Sequence, residues 1–289
     1  MMNIEDSPVI VGGVGGSGTR VIAELLSNFG YYIGNDLNRS MDNLLYTFLF
    51  KRVEWFYNNY NNKYKIKRGI NLFDNIMKGN LDIGRRERMG RGELYFLVGA
   101  YLGSEYNHKW KTKRIYKILE NFSADKKKFK GWGFKEPNSH LLIDKFRSFM
   151  DKPKYIHVIR NGLDMAFSKN KKQLYNWGDL FEVNTFLNKE RVPSFEYWKK
   201  ANSRAINLGE NLYSKDFLLV KFEDICSKPK KEGEKIANFL GLDIDKNDLS
   251  KCTEFIYTPE SIGRHKSHDL KWLDKKDTDF LKEVGYKSP

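Results

Sequence analysis

The chain has 289 residues and carries 51 Lys and Arg against 37 Asp and Glu, a formal net charge of +14. Hydrophobic residues make up 40% and aromatic residues 15%, enough to build a packed core, which excludes a wholly disordered chain. Two cysteines, Cys226 and Cys252, exclude a disulfide framework and a cysteine-based metal site, so a reducing compartment is permitted.

The apolar run at residues 8–13 is too short for a secretory h-region and lacks a basic flank. No segment approaches the roughly 20 apolar residues of a membrane span. A soluble, cytoplasmic protein is therefore expected. Residues 9–13 read as a first strand, and the glycine-dense GGVGGSGTR (residues 12–20) follows it. Val21, Ile22, Leu25, Leu26 and Phe29 then form a helical stripe over residues 17–28, stopped at Gly30. Residues 31–33 form a short strand, and residues 42–122 carry a mostly helical pattern with Asn- and Gly-rich breaks. Further strands are expected at 131–134, 154–159 and 217–222. Helices are expected at 140–150, 162–172, 194–211 and 231–240. Strands separated by helices predict an α/β fold with a central parallel sheet flanked by helices. No linker divides the chain, so residues 1–289 read as one domain with a helical insertion at about 42–125.

The basic surplus clusters at residues 126–130, 169–172 and 228–231, and aromatics interleave in WFYNNYNNKY (residues 55–64). Its spread over the whole chain reads as a solvated surface rather than a nucleic-acid interface. A small polyanionic ligand suits the same field.

The glycine loop admits three readings. Gly13 and Gly18 have Walker A spacing, but Thr19 and Arg20 stand where Lys and Ser/Thr would neutralise phosphate and hold Mg²⁺, so ATP or GTP hydrolysis is not expected. Gly13, Gly15 and Gly18 match G-x-G-x-x-G between strand and helix, with Asp36 near the place of a ribose-binding acid, which supports an NAD-dependent Rossmann-type oxidoreductase. In the third reading the loop delivers backbone N–H groups and a helix N-terminus to an anion. Further on, KYIHVIRNGLDMAFSKN (residues 154–170) ends a buried strand at Arg160, with Ser168 eight residues later on the next helix. An Arg fork and a Ser hydroxyl at that spacing are suited to one anion.

These segments resemble the sulfotransferases that use 3′-phosphoadenosine 5′-phosphosulfate (PAPS). Ser17, Gly18, Thr19 and Arg20 are similar to that family's 5′-phosphosulfate loop. Arg160, Asn161, Asp164 and Ser168 match its 3′-phosphate motif R-[DN]-x-x-D-x-x-x-S. GWGFKEPNSHLLIDKF resembles its K-x-P strand, FLLVKFEDICSKPKKEGEKIANFLGL its late strand and helix, and ESIGRHKSHDL its closing C-terminal loop. The likeness runs end to end and is weakest at residues 44–129, where acceptor recognition is expected.

The resemblance implies a P-loop NTPase-like sulfotransferase fold, PAPS as co-substrate, PAP as product and no metal. It implies cofactor binding by Gly15, Gly16, Ser17, Gly18, Thr19, Arg20, Arg160, Ser168, Gly263, Arg264 and Lys266, with Asp164 structural. One departure stands out. The family places Lys or Arg just before Ser-Gly-Thr, and this chain has Gly16. Lys135 is expected to carry the transition-state charge, assisted by Arg20. Asp36 is the first candidate base and Glu136 the second, with Asp42 and His140 nearby. The expected acceptor is the hydroxyl or amine of a small molecule or a glycan, with carbohydrate, tyrosine, lipid and small alcohol all open and the basic surplus slightly favouring an anionic glycan; no nucleic-acid partner and no membrane span are expected. The alternatives are the NAD enzyme and a non-catalytic PAP- or polyanion-binding relative, the latter prompted by Gly16.

Overall fold

A computed structural model describes residues 7–79, 91–123, 126, 128–184 and 191–287. Residues 80–90 and 124–125 of the expected insertion, and Lys127 of one basic cluster, lie outside the described residues.

Five strands form one sheet: β1 (Val9–Gly12), β2 (Tyr31–Tyr32), β3 (Gly131–Lys135), β4 (Lys154–Ile159) and β5 (Phe217–Lys221). Their order is β2-β3-β1-β4-β5, and every pairing is parallel. The expected central parallel sheet flanked by helices is what forms. Its strands read as apolar runs because both faces are covered. Ile10, Trp132, Phe134 and Tyr155 pack on one face, and Val9, Val11, Ile156 and Val158 on the other. Each large side chain buried this way contributes about 1.5–3 kcal/mol.

The helices are α1 (Thr19–Asn28), α2 (Leu44–Phe50), α3 (Val53–Asn59), α4 (Lys63–Lys78), α5 (Arg91–Leu102), α6 (His108–Ser123), α7 (Ile143–Phe149), α8 (Gly162–Ala166), α9 (Lys172–Trp177), α10 (Arg191–Tyr213), α11 (Phe222–Ser227), α12 (Pro229–Leu240), α13 (Lys246–Thr253) and α14 (Lys275–Glu283). Helices α2 to α6 fall between β2 and β3, where the helical pattern was read. No helix among the described residues is long and apolar enough to cross a membrane.

Two expectations are corrected. Residues 137–142 form a 3-10 turn before α7 rather than the start of one helix, because Glu136 caps that turn by accepting from Asn138 N. The helix expected over 162–172 stops at Ala166. Lys171 Nζ donates to the Ala166 carbonyl, left unpaired at the helix end, at 2.6 Å. Ser168 therefore sits in the turn after α8.

The sheet order places β1 between β3 and β4. The crevice at the strands' carboxyl ends is thus bounded by Gly12, Lys135 and Ile159, the position where open α/β sheets bind ligands.

Candidate active site

The loop after β1 is held by its glycines. Gly16 and Gly18 have φ of +93° and +91°, and a Cβ at Gly18 would lie 2.0 Å from the Phe222 ring. Only glycine adopts this path without strain. A cation side chain at position 16 would therefore be strained in this backbone.

The loop runs into α1, which opens with no side-chain cap and no acidic residue in its first turn. Its first N–H groups and the dipole are free to face an anion. The Ser17 hydroxyl is buried and makes no hydrogen bond. An orphaned buried hydroxyl beside an uncapped helix N-terminus fits a phosphate-like group.

A second cluster of basic side chains lies past the end of β4, where Arg160 Nη2 also comes within 4.0 Å of Asp164 Oδ2. Arg160 Nη2 donates to Ser261 O at 2.6 Å and to Ser261 Oγ at 2.9 Å, and Arg264 Nε donates to the same carbonyl at 3.2 Å. Two guanidinium groups converge on one neutral oxygen. Burial lowers the Arg160 pKa, Asp164 opposes that, and Arg264 adds to it. Asp164 is buried and spends its carboxylate on the loop, accepting from Gly263 N at 2.8 Å, His265 N at 3.1 Å and His265 Nδ1 at 2.7 Å. It anchors the C-terminal segment, as expected of a structural residue. Phe222 joins the two positions: it packs under Gly18, and the Arg160 guanidinium lies 5.0 Å from its ring centroid.

A cavity of about 470 Å³ opens from this crevice. Gly15, Gly16, Gly18, Thr19, Arg20 and Lys135 all line it. Phe222, Phe255, Ile256 and Tyr257 supply its apolar wall. Lys135 is 3% exposed; its ammonium pairs with the Asp42 carboxylate and donates to Ser40 O at 3.1 Å. Asp42 reaches the cavity from a constrained loop. Asn38 Oδ1 accepts from Ser40 N and Asp42 N, Asn38 Nδ2 donates to Asp42 Oδ2 at 2.8 Å, and Met41 takes a φ of +61°.

Several expected site residues stand elsewhere. Asp36, the first candidate base and the ribose acid of the dinucleotide reading, does not line this cavity. It pairs with Arg114 Nε at 2.5 Å in a separate small cleft, and burial raises its pKa against that pairing. Glu136 is fully buried below the cavity wall, accepting from Asn138 N at 2.6 Å, Asn138 Nδ2 at 2.9 Å and Lys51 Nζ at 3.3 Å. His140 is fully buried, its pKa held well below the usual value by desolvation. Ser168 makes no hydrogen bond to Arg160; its hydroxyl accepts from Asn170 N at 3.3 Å. Gly263 and Arg264 lie beside Asp164 and Ser261 rather than in the cavity wall, and Lys266 is exposed beside them.

Two residues here escape sequence reasoning. Gln173 Oε1 accepts from Gly15 N at 2.6 Å, and Gln173 Nε2 donates to Asn138 Oδ1 at 2.7 Å, so a side chain from α9 docks on the glycine loop. Lys51, which caps the C-terminus of α2, lines the same cavity. No local pattern marks either one.

Known proteins share this fold. A family model described as the sulfotransferase family matches residues 8–246. The sulfotransferase domain of the Synechococcus PCC 7002 olefin synthase superposes with a TM-score of 0.52 at 15% identity, covering 98% of this chain and 95% of that one. The sulfotransferase domain from the curacin biosynthetic pathway gives 0.52 at 13% identity, over 98% and 99% of the two chains. A sulfotransferase from Mycobacterium avium gives 0.50 at 12% identity, over 96% and 76%. At such identities the superpositions speak to the fold, and the family match spans β1 to the end of α12. With a glycine loop on an uncapped helix at one end of that match and the β4 arginine within it, this chain belongs to the sulfotransferase family.

Proposed function

We propose that the protein transfers a sulfuryl group from PAPS to an acceptor hydroxyl. The observation that carries this reading is the pair of anion positions on either side of Phe222: the Ser17 loop with α1, and Arg160 with Arg264. A donor with a 5′-phosphosulfate and a 3′-phosphate needs two such positions, whereas NAD lacks the 3′-phosphate. The apolar wall of Phe255, Ile256 and Tyr257 is suited to a purine.

Gly15, Gly16, Ser17, Gly18, Thr19 and Arg20 would hold the 5′ end, and Arg160, Ser168, Gly263, Arg264 and Lys266 the 3′ end. PAPS, when bound, supplies the sulfuryl group and leaves as PAP. Lys135 faces the charge that develops on the departing phosphate oxygen, with Arg20 assisting from the first turn of α1. Asp42 takes the proton of the acceptor hydroxyl as its oxygen bonds to sulfur and the bond to the phosphate oxygen breaks. The base is thus assigned to Asp42 rather than to Asp36 or Glu136, because Asp42 is the carboxylate paired with Lys135 at the cavity. A hydrophilic acceptor such as a glycan suits the polar side of the cavity.

Calorimetry with PAP, NAD and ATP, followed by ³⁵S transfer from PAPS to a panel of alcohols and sugars, tests the reading. PAP binding with transfer is expected. NAD binding in its place would restore the oxidoreductase, and PAP binding without any transfer would leave a non-catalytic binder. Arg160→Ala is expected to weaken PAP about 10- to 100-fold, the worth of a charge-assisted bidentate contact. Calorimetry of the variant with PAP and with adenosine 5′-phosphosulfate checks it, since the loss should be confined to the ligand with a 3′-phosphate.

A further inference from the structure

Lys51 reaches the cavity from the helical segment between β2 and β3, an element that carries neither the glycine loop nor Arg160. Its ammonium donates to Glu136 Oε1 at 3.3 Å, with side-chain exposures of 29% for Lys51 and 0% for Glu136. Asn138 holds both Glu136 oxygens, through its backbone N at 2.6 Å and its Nδ2 at 2.9 Å. Glu136 is thus immobile, and it aims Lys51. Burial works to lower the Lys51 pKa, but the Glu136 and Asp42 carboxylates outweigh it, so the ammonium stays charged.

The two cavity lysines are used differently. Lys135 is nearly enclosed and is held by Asp42 and Ser40 O. Lys51 is more exposed and meets one carboxylate, which leaves donors of its ammonium for a ligand. Ser40, Asp42 and the docked Gln173 amide line the cavity with them and give it polar groups opposite its apolar wall of Phe255, Ile256 and Tyr257. A hydrocarbon acceptor would strip water from these groups and return no hydrogen bond, at a cost for each group. An acceptor with its own negative charge would replace that water with a charge-assisted contact.

We propose that Lys51, aimed by Glu136, is a specificity residue that takes an anionic group, a carboxylate or sulfate, on a hydrophilic acceptor whose hydroxyl lies at Asp42 and Lys135. The inference rests on the sulfotransferase reading and adds the acceptor's charge to it. Glu136 is then a positioning residue, acting through Lys51.

Removing Lys51 alone strands a buried carboxylate and endangers folding. The test therefore uses the double variant K51M/E136Q, which discharges both partners, together with K51R. The probes are methyl glucuronide, its neutral methyl ester, and decanol, with PAP binding measured in parallel. The wild-type chain is expected to sulfate the acid with a kcat/KM about tenfold or more above the ester. K51M/E136Q should lose that preference through KM while PAP affinity stays within about twofold. K51R should retain the preference. Equal turnover of the ester or decanol, a preference that persists in K51M/E136Q, or transfer to none of the three by a protein that binds PAP overturns the proposal. Failure of the wild-type chain to bind PAP removes the underlying sulfotransferase reading instead.

Discussion

Lys135→Ala is expected to lower turnover by about 10²- to 10³-fold, the usual loss when one preorganised charge donor is removed from a developing oxyanion. The reasoning starts at Gly16. The loop has no cation there, and its φ of +93° would strain any replacement. The charge must come from another element, and β3 ends on Lys135, 3% exposed and fixed by Asp42 and Ser40 O. Such fixation means little reorganisation is needed when charge develops. The groups proposed to hold PAP lie on the β1 loop, at and after the end of β4, and in the C-terminal segment around Arg264, so its affinity should change by no more than about threefold. Single-turnover sulfuryl transfer and calorimetry on the same variant separate the two quantities. A turnover loss below about tenfold with PAP binding intact would overturn the assignment to Lys135 and leave Arg20 as the main donor.

Asp42→Asn is expected to lower turnover by about 10²- to 10⁴-fold, the range of a general base. Asparagine preserves the shape and can keep the Asn38 contact, but it cannot take the proton. Asp42 also holds Lys135, so a loss alone does not separate the two roles. A nitrophenol acceptor does, because its hydroxyl is acidic enough to react with little help. If Asp42 is the base, the deficit should shrink by about tenfold or more with nitrophenol relative to an aliphatic alcohol. An equal deficit on both acceptors would assign Asp42 to holding Lys135. The two variants should be non-additive, since the residues act as a pair.

The parts of the chain that could be read without a structure are those whose cause is local. The strand Lys154–Ile159 lies where its apolar run places it, because a strand buried on both faces has a continuous apolar signature. The glycine loop is legible because a turn of positive φ between strand and helix leaves few residue choices. Arg160 is legible because it is the first residue past a strand end, where neighbours along the chain fix its position. Helix length was less so. The helix stops at Ala166, whose freed carbonyl is taken by Lys171, and this leaves Ser168 off the helix on which its spacing places it.

The two candidate bases show where local reading ends. Asp36 and Asp42 are six residues apart in one irregular segment, where no periodicity assigns a direction to either side chain. Arg114, brought in by α6, takes Asp36, and the Asn38 turn with the left-handed Met41 delivers Asp42 to Lys135. Gln173 and Lys51 are further from view. Their partners Gly15 and Glu136 lie 158 and 85 residues away along the chain. The α/β class, the glycine loop between β1 and α1 and the place of Arg160 at the end of β4 followed from the order of residues, because each depends on backbone geometry within a few positions. The carboxylate at Lys135, the fate of Asp36 and the polar wall around Lys51 depend on which distant charges meet when the helices between β2 and β3 pack on the sheet, and that is set by burial and pairing in three dimensions.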